Sequence, residues 1–279
     1  MTADHSSEGS TGAGSPTILV FDSGLGGLTV FREIARARPD ARLVYAADDA
    51  FFPYGDHGEA ELVARVLAVM GELVPAHRPD LVVIACNTAS TLVLPQLRAK
   101  FPVPFVGTVP AIKPACASSR TRRVSVLGTQ ATVAREYTKA LIRDFAQGCE
   151  VTLVGSARLA AIAEAALREE PVDEAVISAE IAPAFVDEGA RRTDTMVLAC
   201  THFPLLLDRL IRLAPWPVAF VDPAPAIARR VVDLIGPASA AAQTGLAPAV
   251  FTSGRSPSPA LARALARFGI GQPARLAAV

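Results

Sequence analysis

Short apolar runs alternate with stretches of helical apolar spacing along most of this sequence. Leu81–Ala85, for example, is a continuous apolar run, which is typical of a parallel strand buried on both faces. The predicted strands are Thr17–Phe21, the run from Arg42, Leu81–Ala85, Val103–Gly107, Val124–Leu127, Val151–Val154, Thr195–Ala199 and Val218–Val221. Helical patterns cover Leu28–Ala37, Glu59–Leu73, the run ending near Lys100, and Val133–Ala146. This alternation predicts βαβ units, and therefore an α/β fold with mostly parallel sheets flanked by helices.

One strand-to-helix pattern occurs twice. VIACNT (83–88) and VLACTH (197–202) both place a Cys at the end of a buried strand, with polar residues on the turn into a helix. The repeat predicts two similar α/β domains that face each other across a cleft. We expect residues 16–108 with 218–279 to form the first domain, residues 109–217 the second, and residues 1–15 a disordered polar tail.

The composition restricts the partners. Lys plus Arg and Asp plus Glu both total 27, so the net charge is zero and no nucleic acid or membrane surface is expected as a partner. The apolar runs are too short to span a bilayer, and the N-terminus has no signal-peptide pattern. A cytoplasmic location follows by default, and a homodimer is kept open beside a monomer.

The cysteines and lysines restrict the cofactors. The four Cys form no C-x-x-C unit and the His are scattered, so metal-ligand spacing is absent and no metal is expected. Lys100, Lys113 and Lys139 are the only lysines, and none lies in a context suited to a pyridoxal Schiff base. Cys116 and Cys149 have no partner group at a strand end, so we interpret them as structural. The sequence therefore predicts no cofactor.

Polar and thiol side chains gather at the predicted strand ends. In open α/β sheets, ligands bind outside the carboxyl ends of the strands. The side chains at such ends are Asp22, Ser23, Cys86, Asn87, Thr88, Cys200, Thr201 and His202. If the domains face each other, two thiols approach one cleft from opposite sides, as inversion of an sp³ carbon by one base and one acid requires. We therefore predict catalysis by Cys86 and Cys200.

The neighbours of each thiol suggest how it ionises. A helix N-terminus or an adjacent cation lowers a thiol pKa from about 8.5, so we expect lowered values where a helix follows each Cys. Asp22 is the predicted proton partner of Cys86, and His202 that of Cys200. The Ser, Thr and Gly loops offer backbone N–H groups for substrate carboxylates.

Two loops allow a functional or a purely structural interpretation. Gly24–Gly27 follows a strand and opens a helix, but its spacing is neither G-x-G-x-x-G nor a P-loop. Its glycines serve a tight turn or, in the functional interpretation, a carboxylate site. Tyr54 and Gly55 lie in a turn-rich segment that is either a connector or a lid over the substrate.

Five segments resemble the glutamate racemases of the aspartate/glutamate racemase superfamily: FDSGLGGLTV (21–30), PYG (53–55), ACNTAS (85–90), VSVLGTQATV (124–133) and ACTHFPLL (199–206). The resemblance covers about residues 17 to 235. It implies two α/β domains around a cleft, no cofactor, and supply of D-glutamate for peptidoglycan. It also implies that Cys86 and Cys200 are the catalytic bases, assisted by Asp22 and His202. The substrate contacts that it implies are Asp22, Ser23, Tyr54, Gly55, Asn87, Thr88, Thr201 and His202, with Thr129 and Thr132 as further candidates.

The chain departs from the family pattern in three places. Phe51-Phe52 stands where an arginine-containing loop is common, and Gly155–Arg158 replaces a Cys-Pro segment. Thr108-Val109-Pro110 lacks the family's acidic residue. None of these changes touches the two thiols. Three alternatives remain open: a racemase of another acid such as aspartate, a lyase or decarboxylase with one cleft thiol, and a binding protein that keeps the cleft. The presence of both Cys86 and Cys200 disfavours the last two.

Overall fold

The structure is a computed structural model, and it describes residues 15–189, 191–239 and 241–276. The predicted disordered tail lies outside these ranges except for Ser15. The first elements are β1 (Thr17–Asp22), α1 (Leu28–Ala37), β2 (Arg42–Ala47), α2 (Glu59–His77), β3 (Leu81–Ile84), α3 (Asn87–Lys100) and β4 (Phe105–Gly107). A 3-10 helix, Tyr54–Asp56, precedes α2.

The elements that follow are α4 (Ile112–Ser118), β5 (Arg123–Thr129), α5 (Gln130–Ala134), α6 (Glu136–Phe145), β6 (Glu150–Ser156), α7 (Leu159–Leu167), α8 (Glu174–Ile181), β7 (Asp187–Glu188), β8 (Arg191–Arg192), β9 (Thr195–Ala199), α9 (Leu207–Leu213), β10 (Ala219–Val221), α10 (Ala224–Ile235), β11 (Ala247–Phe251), α11 (Pro259–Arg267) and β12 (Ile270–Arg275). Two further 3-10 helices are Ala182–Ala184 and Phe203–Leu206.

Two parallel sheets organise these elements. The first has the order β12-β11-β2-β1-β3-β4, and the second has the order β10-β9-β5-β6. Every strand pair in the two sheets is parallel, and only the small β7–β8 pair is antiparallel among the described residues. The predicted fold class, α/β with mostly parallel sheets flanked by helices, is confirmed.

Side chains on the two faces of each strand build separate cores. In β1, Ile18 and Val20 pack in one apolar cluster, while Leu19 and Phe21 pack in the cluster on the opposite face. The strand β9 in the second sheet divides its side chains between two clusters in the same way. Helices therefore cover both faces of each sheet, which explains why these strands are continuously apolar.

The chain crosses between the sheets at a different place from the one predicted. The segment 218–221 was assigned to the first domain, but β10 pairs in parallel with β9 in the second sheet, so that assignment was wrong. Its short apolar run carries no signal for the sheet that it joins. After β10 the chain returns to the first sheet, where β11 lies beside β2. The rest of the predicted domain division stays a prediction.

A second difference concerns the predicted helix Val133–Ala146, which is broken into α5 and α6 at Arg135. Arg135 has an extended backbone (ψ 137°) and forms an ion pair with Glu59 at the start of α2. The Thr138 hydroxyl donates to the carbonyl of Thr132 across the break, at 2.6 Å. Within the described ranges, no helix has the length and apolar character needed to cross a membrane.

Candidate active site

A narrow cavity lies between the two sheets, at the carboxyl ends of β1, β3, β5 and β9. All the predicted catalytic and substrate-contact residues except Asp22 line it, and of the two further candidates Thr129 does and Thr132 does not. Phe52, Pro53 and Ala160 complete the lining. Its free volume is about 20 Å³. Measured in the same way, one water molecule needs roughly 10–15 Å³. The cavity therefore has little more room than one water molecule needs, and its walls must shift to admit an amino acid.

The two cysteines reach this cavity from different sheets. Cys86 follows β3 and is the residue before the first turn of α3, whereas Cys200 follows β9. Both are free thiols and are almost fully buried, with exposed fractions of 5% and 6%. The 3-10 helix that follows Cys200 begins only at Phe203, so the prediction that a helix follows directly is correct for Cys86 alone.

The surroundings of Cys86 favour the protonated thiol. Burial raises the pKa of Cys86 to about 12, and the nearby charge of Asp22 adds to the effect, while a hydrogen bond with Ser23 opposes it. The sequence led us to expect a lowered pKa from the helix N-terminus. That expectation was wrong for Cys86, because loss of solvation and a neighbouring carboxylate outweigh the helix.

Asp22 sits behind the cavity wall. Its Oδ2 accepts hydrogen bonds from the backbone N–H of Gly27 at 2.9 Å and of Gly24 at 3.3 Å. Its Oδ1 accepts from the Thr201 hydroxyl of the second sheet at 3.4 Å. The carboxylate therefore holds the glycine loop and links it to the opposite sheet, and it acts on Cys86 through its charge.

His202 lies between Cys200 and a buried carboxylate. Its Nδ1 is 3.8 Å from the sulfur of Cys200, and its Nε2 is 3.1 Å from Oε1 of Glu164. Burial lowers the pKa of His202, but the contacts with Cys200 and Glu164 outweigh it, and the net pKa is well above the ordinary value. The pKa of Glu164 is lowered, because the contacts with His202 outweigh the effect of burial. The pair is therefore an imidazolium beside a carboxylate.

The backbone N–H of Gly26 also points at Nε2 of His202, at 3.2 Å. That contact needs an unprotonated nitrogen, whereas the contact with Glu164 needs a proton there. A charge-assisted bond is about twice as strong as a neutral one, so we assign the proton to Nε2 and the hydrogen bond to Glu164.

Sequence reasoning did not assign a role to Glu164. Its carboxylate accepts from the backbone N–H of Leu25 at 2.9 Å and from Arg168 at 2.7 Å, in addition to His202. The sequence does contain a pattern that marks Glu164 as a candidate. It is the only charged residue within the apolar helix α7, and Arg168 follows four residues later. A charged pair at this spacing lies on one helix face.

The loop Gly24–Gly27 has glycines because neighbouring atoms pack closely against its backbone, and not because its backbone is left-handed. A Cβ on Gly26 would lie 2.6 Å from the backbone nitrogen of His202, and one on Gly27 would lie 2.7 Å from Cβ of Asp22. Real Cβ atoms do not approach so closely. The loop needs glycine because the histidine of the second sheet packs directly on it. The N–H groups of Gly24 and Gly27 are bonded to Asp22, and that of Leu25 to Glu164, so these groups are occupied and do not support the interpretation of the loop as a carboxylate site.

Several polar groups remain for a substrate. The Asn87 side chain is buried, and neither its oxygen nor its nitrogen has a hydrogen-bond partner among the described residues. The Thr88 hydroxyl lies 3.1 Å from that of Thr129 and 3.3 Å from that of Thr132, so the two sheets meet at three hydroxyls. Unpaired polar atoms at a buried position are typical of a ligand site.

The segment around Tyr54 and Gly55 closes one side of the cavity. The Tyr54 hydroxyl donates to Asp48 at 2.8 Å, and Asp48 in turn accepts from Arg65 and from Thr252. The phenol is therefore anchored to the first sheet. Burial raises the pKa of Tyr54 well above its ordinary value, with a further contribution from Asp48.

No group of three or more His, Cys, Asp or Glu side chains in the described ranges is arranged to hold a metal ion. The three lysines, Lys100, Lys113 and Lys139, do not line the cavity. Two cysteines from two sheets at one buried cavity are typical of amino-acid racemases that use thiols as acid and base.

Known proteins place the chain in that class. A model of the family described as Asp/Glu/Hydantoin racemase matches residues 21–231. The glutamate racemase of Brucella ovis is 53% identical over 258 residues, which cover 91% of this chain and 92% of that protein. The chain therefore belongs to the Asp/Glu/Hydantoin racemase family, which makes it an amino-acid racemase, an isomerase.

Solved structures agree in fold. The Escherichia coli glutamate racemase, solved with L-glutamate and the activator UDP-MurNAc-Ala, has a TM-score of 0.86 and 40% identity, covering 95% of this chain and 99% of that one. The Thermus thermophilus glutamate racemase, solved with beta-chloro-D-alanine, has a TM-score of 0.69 and 28% identity, covering 95% and 97%. The predicted resemblance is confirmed.

Proposed function

We propose that this chain interconverts L- and D-glutamate without a cofactor, and that Cys86 and Cys200 are its acid and base. The observation that carries this proposal is the placement of two buried free thiols from two sheets at one cavity. Relatives named glutamate racemase support the choice of substrate. Supply of D-glutamate for peptidoglycan follows from the role of the family.

The reaction begins with proton removal from the α-carbon. With L-glutamate bound, the Cys200 thiolate takes the α-proton and Cys86 donates its thiol proton to the opposite face. The two thiols then hold the reverse protonation states, which suits D-glutamate. The negative charge that develops on the α-carbon spreads into its carboxylate group. Fixed hydrogen-bond donors in a site that excludes water stabilise this charge.

The environments of the two thiols favour the protonation state that acts on L-glutamate, in which Cys200 is a thiolate and Cys86 is a thiol. The raised pKa of Cys86 keeps it protonated and therefore ready to act as the acid. The His202 imidazolium lies beside Cys200 and stabilises its thiolate by charge. Glu164 keeps His202 protonated, and Asp22 disfavours a second negative charge at Cys86.

Substrate recognition is assigned to the polar groups of the cavity. We propose that Ser23, Asn87, Thr88 and Thr201 hold the ammonium and carboxylate groups of glutamate, with Tyr54 and Gly55 closing over it. The unpaired amide of Asn87 supports this assignment, because a ligand would supply both of its missing partners. Thr129 and Thr132 join this set through the hydroxyl cluster.

The test is racemisation by the purified protein after exhaustive dialysis, in the presence of a chelator and with no pyridoxal phosphate. Circular dichroism should show both glutamate enantiomers decaying to the same racemic end point. An absolute requirement for added pyridoxal phosphate or metal would overturn the proposal. L-aspartate in the same assay tests the alternative acid, and carbon dioxide release or deamination tests a one-thiol lyase.

We also propose a cytoplasmic location, since the mechanism needs both thiols reduced and the described cysteines are all free. No nucleic-acid partner is proposed. A homodimer remains the alternative to a monomer, and size-exclusion chromatography with light scattering distinguishes them.

A further inference from the structure

Phe52 has no assigned role, and it stands where the chain departs from the family pattern. It directly precedes Pro53, and its ring lines the active-site cavity. The same ring lines a second cavity, whose walls include Glu164 and Arg168. Phe52 therefore lies between the thiol site and a neighbouring space that also reaches the carboxylate of Glu164.

The ring of Phe52 lies against His202. Their ring centroids are 5.3 Å apart, with an interplanar angle of 40°. A Cβ on Gly24 would lie 3.0 Å from Cδ2 of Phe52, so the missing side chain at Gly24 provides the room that the ring occupies. The contact is therefore built by the glycine loop and is fixed in place.

The charges that face His202 come from several elements. Cys200 precedes it in the chain, Glu164 reaches it from α7, and Asp22 acts on it from the end of β1. Arg168 faces the opposite oxygen of Glu164. A cation within about 6 Å of an aromatic centroid is attracted by the ring, most strongly where water is excluded. Phe52 adds an attraction for the imidazolium that comes from no charged group.

We propose that Phe52 is a positioning residue, whose ring favours the protonated form of His202 and excludes water of the second cavity from the His202–Cys200 contact. The role rests on the proposed racemase function, because it matters through the thiolate that His202 stabilises. Leucine retains most of the apolar volume but has no aromatic face. Tyrosine retains the ring. The two substitutions therefore separate packing from aromatic attraction.

The experiment is an NMR titration of the His202 imidazole in the wild-type protein and in Phe52→Leu and Phe52→Tyr. The chain has only four His, so a His202→Asn spectrum identifies the signal. Phe51→Leu is the matched control, since Phe51 is the adjacent aromatic residue but stacks on His57 instead. We expect the titration midpoint to fall by about 0.5 to 1 pH unit in Phe52→Leu. Phe52→Tyr and Phe51→Leu should keep the wild-type midpoint.

Activity provides the second readout. At a pH above both midpoints, kcat/KM for glutamate should fall roughly 3- to 10-fold in Phe52→Leu and recover in Phe52→Tyr. An unchanged His202 midpoint in Phe52→Leu would overturn the role of Phe52 even if the wild-type protein racemises glutamate. If Phe52→Leu lowers the His202 midpoint but the wild-type protein does not racemise glutamate, the proposed function is overturned, whereas the role of Phe52 toward His202 stands. If Phe52→Leu does not fold, Phe52→Met supplies the same comparison.

Discussion

Glu164→Gln removes the negative partner of His202 while keeping the size and shape of the side chain. Both groups are almost fully buried, with side-chain exposures of 4% and 3%. Breaking a buried ion pair costs roughly 3–5 kcal/mol, and release of the His202 proton offsets part of it. We therefore expect the free energy of unfolding to fall by about 2 to 3 kcal/mol near pH 6.

The pH dependence of this loss has a defined sign. The folded-state pKa of His202 is raised, so its contribution to stability is fully present below the unfolded pKa of about 6.5 and is lost as pH rises through the folded value. In Glu164→Gln, one of the contacts that raise this pKa is lost while Cys200 remains, so the folded-state pKa of His202 falls and less of this contribution to stability is present. The difference between the two proteins should therefore be largest at mildly acid pH and shrink toward alkaline pH.

Denaturant unfolding at several pH values measures the difference in free energy of unfolding between the wild type and Glu164→Gln. Glu169→Gln is the matched control. Glu169 pairs with Arg263 at the surface, where both side chains are about half exposed, so its loss should change stability by less than about 0.5 kcal/mol. We also expect kcat/KM to fall about 10- to 100-fold in Glu164→Gln, since a bond to a charged group contributes roughly 1.5–3 kcal/mol. Wild-type stability and activity in this variant would refute the ion-pair account.

Three further predictions concern the thiols, the glycine loop and the substrate amide. The rate should fall on both sides of a mildly alkaline optimum, because one thiol must be ionised while Cys86, with its pKa near 12, stays protonated; a flat profile would contradict a thiol pair. Gly26→Ala should reduce kcat/KM about 100-fold by displacing His202, whereas Gly71→Ala, in the open middle of α2, should stabilise the protein by about 0.5–1 kcal/mol. Asn87→Ala should raise KM for glutamate about 10-fold, since a polar contact of this kind contributes on the order of 1.4 kcal/mol; an unchanged KM would remove Asn87 from the substrate site.

The strands and the meeting of the two thiols could be predicted because both depend on local pattern. A strand buried on both faces must be continuously apolar, and the carboxyl ends of parallel strands share one edge of a sheet. Thr195–Ala199 has the predicted bounds, and Cys200 follows it directly. The fold class and the cavity residues at the strand ends follow from such rules, whereas Phe52 and Ala160 at the same cavity do not.

Features that depend on long-range contacts were not accessible from the sequence. The sheet that β10 joins is decided by packing, and Val218–Val221 carries no signal for it. The break at Arg135 accompanies an ion pair with Glu59, which lies more than seventy residues away in the chain. The raised pKa of Cys86 depends on near-complete burial beside Asp22, which spacing alone does not give. Glu164 acquires its role only when α7 packs against the glycine loop.

The central claim is that each thiol serves one face of the α-carbon. Racemisation itself cannot separate the two roles, since the equilibrium constant between enantiomers is one and kcat/KM is equal in both directions for every variant. A 3-chloroglutamate separates them. Removal of its α-proton with loss of chloride gives an enamine, which tautomerises and hydrolyses to 2-oxoglutarate and ammonium without a second thiol.

The most direct measurement is therefore 2-oxoglutarate formation from the L and D forms of 3-chloroglutamate by Cys86→Ser and Cys200→Ser. By the family resemblance, Cys86→Ser should process only the L form and Cys200→Ser only the D form, while both lose glutamate racemisation by several orders of magnitude. Cys116→Ser, which changes a buried cysteine outside the cavity, should behave as the wild type. Reversed selectivity would exchange the two faces. Near-native glutamate racemisation by either Cys86→Ser or Cys200→Ser would contradict the two-thiol mechanism itself.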